Sequence, residues 1–268
     1  MSNVYEALQR ARRQGLTSGP PPAPSPAATS PRPALPPTAN PAAEFPAVPA
    51  AGARAPAEAG HLGRFPDAMG ELLGAVRPML DANQGTVLHF VATTAGEGAT
   101  TVASEFAYFV ATTGHRRTLL IDGDRRGRQT ARSFGATTER GLIECMWQQR
   151  DYEQVLHPVG GSLLSVGCLA GDSSNASIDI ESMRGLLTAL RSRFELIVMD
   201  CPSIAGGGYS DLIPEAADAI VLVVEAEKVR PAVIAHAKEL VQQAGGNIIG
   251  AVLNRRRNYI PEILYRAL

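Results

Sequence analysis

The chain has only three cysteines, Cys145, Cys168 and Cys201, and no two of them fall in CxxC spacing. An odd, scattered set argues against a disulfide framework or a zinc ribbon and suits a reducing compartment. Aromatic residues make up 5% of the chain, and no apolar run approaches the roughly 20 residues of a membrane-spanning helix. The N-terminus lacks the hydrophobic stretch of a secretory signal. Neither sign of charge is in excess: the formal net charge is -1, which gives no global pull toward nucleic acid or anionic lipid. These absences lead us to expect a cytoplasmic protein without a membrane segment of its own and without a nucleic-acid partner.

Proline is present but concentrated, with 13 of 20 residues between Pro20 and Pro56. Almost no aliphatic residues lie among them, so residues 16–65 bury too little surface to offset the entropy of ordering and read as a disordered Pro/Ala-rich linker. Before it, residues 1–15 contain Val4, Tyr5, Leu8 and Ala11 near helical spacing. They read as one short amphipathic docking helix on a long tether.

Residues 66–268 change character. A helix is expected around Asp67 to Leu80. Strands are expected at Val87 to Ala92, Thr118 to Ile121, Leu163 to Val166, Leu196 to Met199, Ala219 to Val224 and Ile248 to Leu253. Most are continuous apolar runs, the pattern of strands buried on both faces of a parallel sheet. Helical patterns at about Thr101 to Thr113, Ile180 to Arg193, Pro231 to Ala244 and Ile260 to Leu268 alternate with them. The expectation is an α/β fold with a doubly wound, mostly parallel sheet.

The segment VLHFVATTAGEGATTVASEFAYFV reads as strand, glycine loop and helix. Gly96 and Gly98 let the backbone turn its N–H groups inward above a helix N-terminus, which makes an anion cradle. Thr100 stands where a Mg²⁺-binding hydroxyl would sit in GxxxxGK[ST], but Thr93 replaces the first glycine and Ala99 the lysine. Two apolar strands end in acid, LLIDGD at Asp122 and Asp124 and LIVMDCP at Asp200. The C-terminal edge of a parallel sheet is where ligands bind, and carboxylates there can hold Mg²⁺ or orient a nucleophile.

On these motifs the chain resembles the P-loop proteins of bacterial capsule and exopolysaccharide synthesis, the bacterial tyrosine kinase family, which is related in fold to the MinD and ParA ATPases. GEGATTVASEFA matches the family's phosphate loop, LLIDGDRR its second acidic motif and LIVMDCPS its Walker B. AADAIVLVVEAEKVR, IIGAVLN and the terminal NVYEALQRA and YIPEILYRAL complete the likeness. The resemblance implies ATP or ADP with Mg²⁺, held by the backbone of Ala95, Gly96, Glu97, Gly98, Ala99, Thr100 and Thr101. It implies Thr100, Asp122 and Asp200 near the metal, Asp122 and Asp124 as catalytic carboxylates, Asn254 near the base and Asp211 at a weakly diagnostic acidic position. It also implies a partner, an inner-membrane polysaccharide co-polymerase that regulates chain length, with recruitment to the cytoplasmic membrane face and homo-oligomerisation.

The departures from the family pattern bear on activity. A Walker A lysine makes charge-assisted bonds worth roughly 1.5–3 kcal/mol each, so its loss weakens nucleotide binding by on the order of ten- to a thousandfold. Arg116, Arg117, Arg125 and Arg126 are possible substitutes. The family's C-terminal tyrosine cluster is reduced to Tyr259 and Tyr265, and its ExxRxxR assembly motif to Glu71, Gly74 and Arg77 followed by Pro78. Arg255, Arg256 and Arg257 form a basic tract that could meet an acidic partner or lipid headgroups. Three functions fit: a pseudo-ATPase or pseudokinase subunit, an active ATPase or kinase with a substitute charge, and a MinD- or ParA-like positioning protein.

Overall fold

The computed structural model describes residues 62–82, 85–125, 127–172 and 178–255. The expected docking helix, the linker to residue 61, the helix at 260–268, Tyr259, Tyr265 and Arg126, Arg256 and Arg257 lie outside the described residues. Helix α1 (Pro66–Ala82) precedes strand β1 (Thr86–Ala92), helix α2 (Ala99–Thr112) and strand β2 (Thr118–Asp122). Two short helices follow, α3 (Gln129–Ser133) and α4 (Leu142–Trp147). Then come β3 (His157–Pro158), β4 (Leu164–Cys168), α5 (Ile180–Arg191), β5 (Leu196–Cys201), β6 (Ala219–Glu225), α6 (Pro231–Gln243) and β7 (Ile248–Asn254).

The strands form one seven-stranded sheet in the order β3-β4-β2-β5-β1-β6-β7. All pairs are parallel except β3 with β4. The expected doubly wound α/β architecture is thus present. Its six long strands fall where continuous apolar runs placed them, because a strand covered by helices on both sides has no solvent face to encode. Every residue of β1, TVLHFVA, is buried. On one side of the sheet α2 packs beneath α1, so α2 is apolar around most of its circumference and buries Val102, Ala103, Phe106, Ala107, Val110 and Ala111. On the other side Met183, Leu186, Leu187 and Leu190 of α5 and Val241 of α6 close a second core. α5 begins at Asp179, whose carboxylate accepts the Ser182 N–H at 2.7 Å as an N-cap.

Two expectations are corrected. β7 is not buried on both faces: it is the sheet's edge, and Ile249 and Leu253 are 40% and 61% exposed. The stretch between β2 and β4 holds α3, α4 and the two-residue strand β3, which apolar periodicity did not reveal because each is shorter than two helical turns or one ordinary strand. Among the described residues no helix is long and apolar enough to cross a membrane. The three cysteines are free and buried.

Candidate functional site

β1 ends at Ala92, and the chain crosses from its C-terminal end to α2 through residues 93–98. Gly96 and Gly98 take left-handed φ angles of 88° and 93°, which glycine adopts without a Cβ clash. A Cβ on Gly96 would meet nothing within 4 Å, so space above the loop is open. Gly98 is the N-cap of α2 without a side-chain hydrogen bond, so the helix presents its first N–H groups to that space. Ala99, 7% exposed, opens the helix and is packed into the core.

Glu97 explains why Thr93 can stand where the motif has glycine. Its buried carboxylate accepts the Thr93 N–H at 2.9 Å, the Thr93 hydroxyl at 2.7 and 3.0 Å and the Thr94 hydroxyl at 2.7 Å. The side chain of Glu97 is therefore a brace inside the loop, and only its backbone faces the cradle. Asn254, at the end of β7, donates from Nδ2 to the Glu97 carbonyl at 2.9 Å. That amide, expected near a base, thus ties the end of β7 to the phosphate loop.

The two strand-end acids are neighbours. Asp122 and Asp200 are paired in register across β2 and β5. Asp122 is spent largely on the turn after β2: Oδ1 accepts the Asp124 N–H at 3.0 Å and Oδ2 the Ala131 N–H at 2.9 Å. Asp200 Oδ2 accepts the Thr130 hydroxyl at 2.5 Å, and the Thr100 side chain stands near the same carboxylate. Burial, reinforced by the charges of Asp122 and Asp124, pushes the Asp200 pKa up to about 7. Burial also raises that of Asp122. Thr130 is a site residue the sequence did not flag, because it lies on the five-residue α3, and threonine has no distinctive spacing there.

Asp200 Oδ1 is buried and has no hydrogen-bond partner. An orphaned carboxylate oxygen beside the Thr100 hydroxyl is a fitting receptor for a hard divalent cation. No group of three or more His, Cys, Asp or Glu side chains among the described residues could hold a metal by itself, so such a cation would need water or phosphate oxygens to complete its shell. Thr100, Asp122, Asp124, Asp200, Asn254 and the loop of residues 95–101 thus converge on one edge of the sheet. The Asp211 side chain lies outside the described residues.

The candidate substitutes for lysine divide. Arg116 and Arg117 precede β2, at the opposite end of the strands, and pair with Glu195 at 3.6 and 4.0 Å. Arg125 directly follows Asp124, on the cradle's edge. Arg128, buried beside α3, is committed to the carbonyls of Ala170 and Gly171 and to Asp172. Lys228, on the loop after β6, pairs with Glu225 at 2.9 Å. On α1, Glu71, Gly74 and Arg77 share an exposed face, and a Cβ on Gly74 would meet open space.

No profile of a known protein family matches the chain. Among curated proteins it is 26% identical over 190 residues to the tyrosine-protein kinase CpsD of Streptococcus agalactiae, covering 69% of this chain and 82% of that one. Among solved structures, the kinase domain of the Escherichia coli tyrosine kinase Etk superposes with a TM-score of 0.61 at 21% identity, over 73% of this chain and 79% of that one. The cell-division ATPase MinD of Pyrococcus furiosus gives 0.51 at 20% identity, over 68% and 79%. The chain is thus similar in sequence to bacterial tyrosine-protein kinases and shares its fold with a kinase domain of that kind and with a MinD ATPase, with alanine where a Walker A motif has lysine.

Proposed function

We propose that this protein is a regulatory, kinase-like subunit of bacterial capsule or exopolysaccharide synthesis that no longer turns over ATP and acts by binding a membrane polysaccharide co-polymerase. The observation that carries this reading is Ala99. Its methyl is packed into the core at the start of α2, and of the basic side chains weighed for the role, Arg116, Arg117, Arg128 and Lys228 are all held by other partners. Without a cation bridging the phosphates, the charge that develops in phosphoryl transfer lacks its compensating donor.

The residues that remain suit binding. The backbone of residues 95–101 and the α2 N-terminus would receive the phosphates of ATP or ADP, while Thr100 and Asp200 would hold Mg²⁺ with Asp122 beside them. When bound, Mg²⁺ would supply positive charge against those phosphates. In support, Asp200 keeps one oxygen without a hydrogen-bond partner while Thr130 donates to the other, and Asp122 holds the turn that carries Asp124. The expected result with the full chain is no steady-state ATP turnover. Turnover that is abolished by Asp200→Ala would overturn the proposal.

One observation favours a second reading, an active ATPase or kinase: Arg125 lies immediately after Asp124 on the cradle's own edge. If its guanidinium stands in for lysine, Arg125→Ala should remove nucleotide binding that the wild type shows by calorimetry. Equal affinity in both proteins would dismiss it.

A further inference from the structure

Helix α3 has only five residues, yet it meets both strand-end acids. The Ala131 N–H donates to Asp122 Oδ2 at 2.9 Å, and the Thr130 hydroxyl donates to Asp200 Oδ2, on the neighbouring strand, at 2.5 Å. The helix is anchored from two sides. Gly127 leads into it at a point where a Cβ would strike Asp124 Oδ2 at 2.5 Å, and the Arg128 N–H donates to the Asp124 carbonyl at 3.1 Å. The buried Arg128 side chain reaches the other way. Its Nε donates to the Ala170 carbonyl at 3.0 Å, and its guanidinium pairs with Asp172 at 3.1 Å. Thr130 and Ala131 are themselves buried, so the hydroxyl has no solvent to turn to.

The bond from Thr130 leaves the Asp200 carboxylate with one oxygen to offer. Oδ1 is buried without a partner, so a cation can be met end-on through Oδ1, whereas a grip by both oxygens requires the Thr130 bond to break. That difference separates two hard cations. Mg²⁺ demands a near-ideal octahedron of oxygens at about 2.0–2.1 Å, and the two oxygens of one carboxylate lie too close together to occupy adjacent corners of it. Ca²⁺ takes six to eight oxygens at about 2.3–2.6 Å in flexible geometry and accepts a carboxylate through both. A hydrogen bond to the second oxygen also fixes the orientation of a ligating carboxylate, and such outer partners tune metal affinity.

We propose, on the reading that Asp200 holds the Mg²⁺ of a bound nucleotide, that Thr130 is the positioning residue that makes Asp200 a one-oxygen ligand and sets the site's preference for Mg²⁺ over Ca²⁺. Thr130 acts through Asp200, and α3 is the element that aims it.

Melting curves of the full chain at about pH 8, taken against MgCl₂ and CaCl₂ without nucleotide, test this, because a cation that binds the folded state raises the melting temperature by mass action. Thr130→Val keeps the shape of the side chain and removes the donor. It should weaken Mg²⁺ binding about tenfold and Ca²⁺ binding less, so that the ratio of the two affinities shifts toward Ca²⁺ about fivefold. Thr130→Ser, which keeps the hydroxyl, should restore the wild-type ratio. A purely structural role would lower the metal-free melting temperature and leave the ratio as it was. If the valine variant does not fold, Thr130→Ala takes its place with the same expectation. A wild-type Mg²⁺ response with an unchanged ratio in the variant overturns the role of Thr130 alone. A wild type that responds to neither cation, or no more than Asp200→Asn does, overturns the reading of Asp200 as a metal ligand and the role of Thr130 with it.

Discussion

Asp122 and Asp200 stand side by side at the ends of β2 and β5, paired in register on adjacent parallel strands, and neither has a cation against it among the described residues. Asp122 answers the charge with backbone N–H groups, whereas Asp200 keeps one oxygen without a partner.

The Asp200→Asn variant should therefore be more stable than wild type when divalent cations are absent. The folded-state pKa, about 7, lies above the ordinary 3.8, so the unfolded chain loses this proton first. Wild-type stability then falls as pH rises from 3.8 to 7 and levels off above. At pH 8 the variant should gain roughly 2–4 kcal/mol, measured by urea unfolding. Millimolar Mg²⁺ should raise the melting temperature of the wild type and leave that of the variant unchanged.

Restoring the lysine tests whether only charge was lost. Ala99→Lys should bind ATP on the order of ten- to a thousandfold more tightly than wild type by calorimetry. The gain should require Gly96 and Gly98 intact. No gain would mean that the buried setting of residue 99 prevents the side chain from reaching the loop.

Gly98→Ala should be destabilising without touching the core. Its φ of 93° strains any L-residue, and the added methyl would strike the Asn254 amide. A loss of about 2–4 kcal/mol follows from the backbone strain and the displaced hydrogen bond. The check is a melting curve, with Gly74→Ala as a control that should not destabilise, since that site opens on empty space.

His89 carries a separate pH signature. Fully buried on β1 with Nδ1 3.4 Å from the Tyr209 hydroxyl, it has its pKa lowered to about 4 by burial. The unfolded chain takes up this proton below about pH 6.5 while the folded one resists it, so stability falls as pH drops from 6.5 to 4. His89→Gln should remove roughly 3 kcal/mol of that loss, read as a flatter unfolding free energy across this window. The opposite slope from Asp200 is present in both proteins and cancels in the comparison.

The sequence by itself determined the layered α/β fold and the location of the site. Buried parallel strands need continuous apolar runs, and the loop glycines and strand-end acids sit at the one edge where such a sheet binds ligands. It could not reveal α3, α4 or β3, whose few residues carry no period. Nor could it place Thr130 against Asp200 or set the Glu97 carboxylate inside the loop. Those depend on which strands lie side by side and which way each loop turns, and residues 70 or 157 positions apart meet only once the sheet has formed. Ala99 shows the division plainly: its identity told that a charge was missing, and only the tertiary structure showed that the residue is packed into the core at the start of α2.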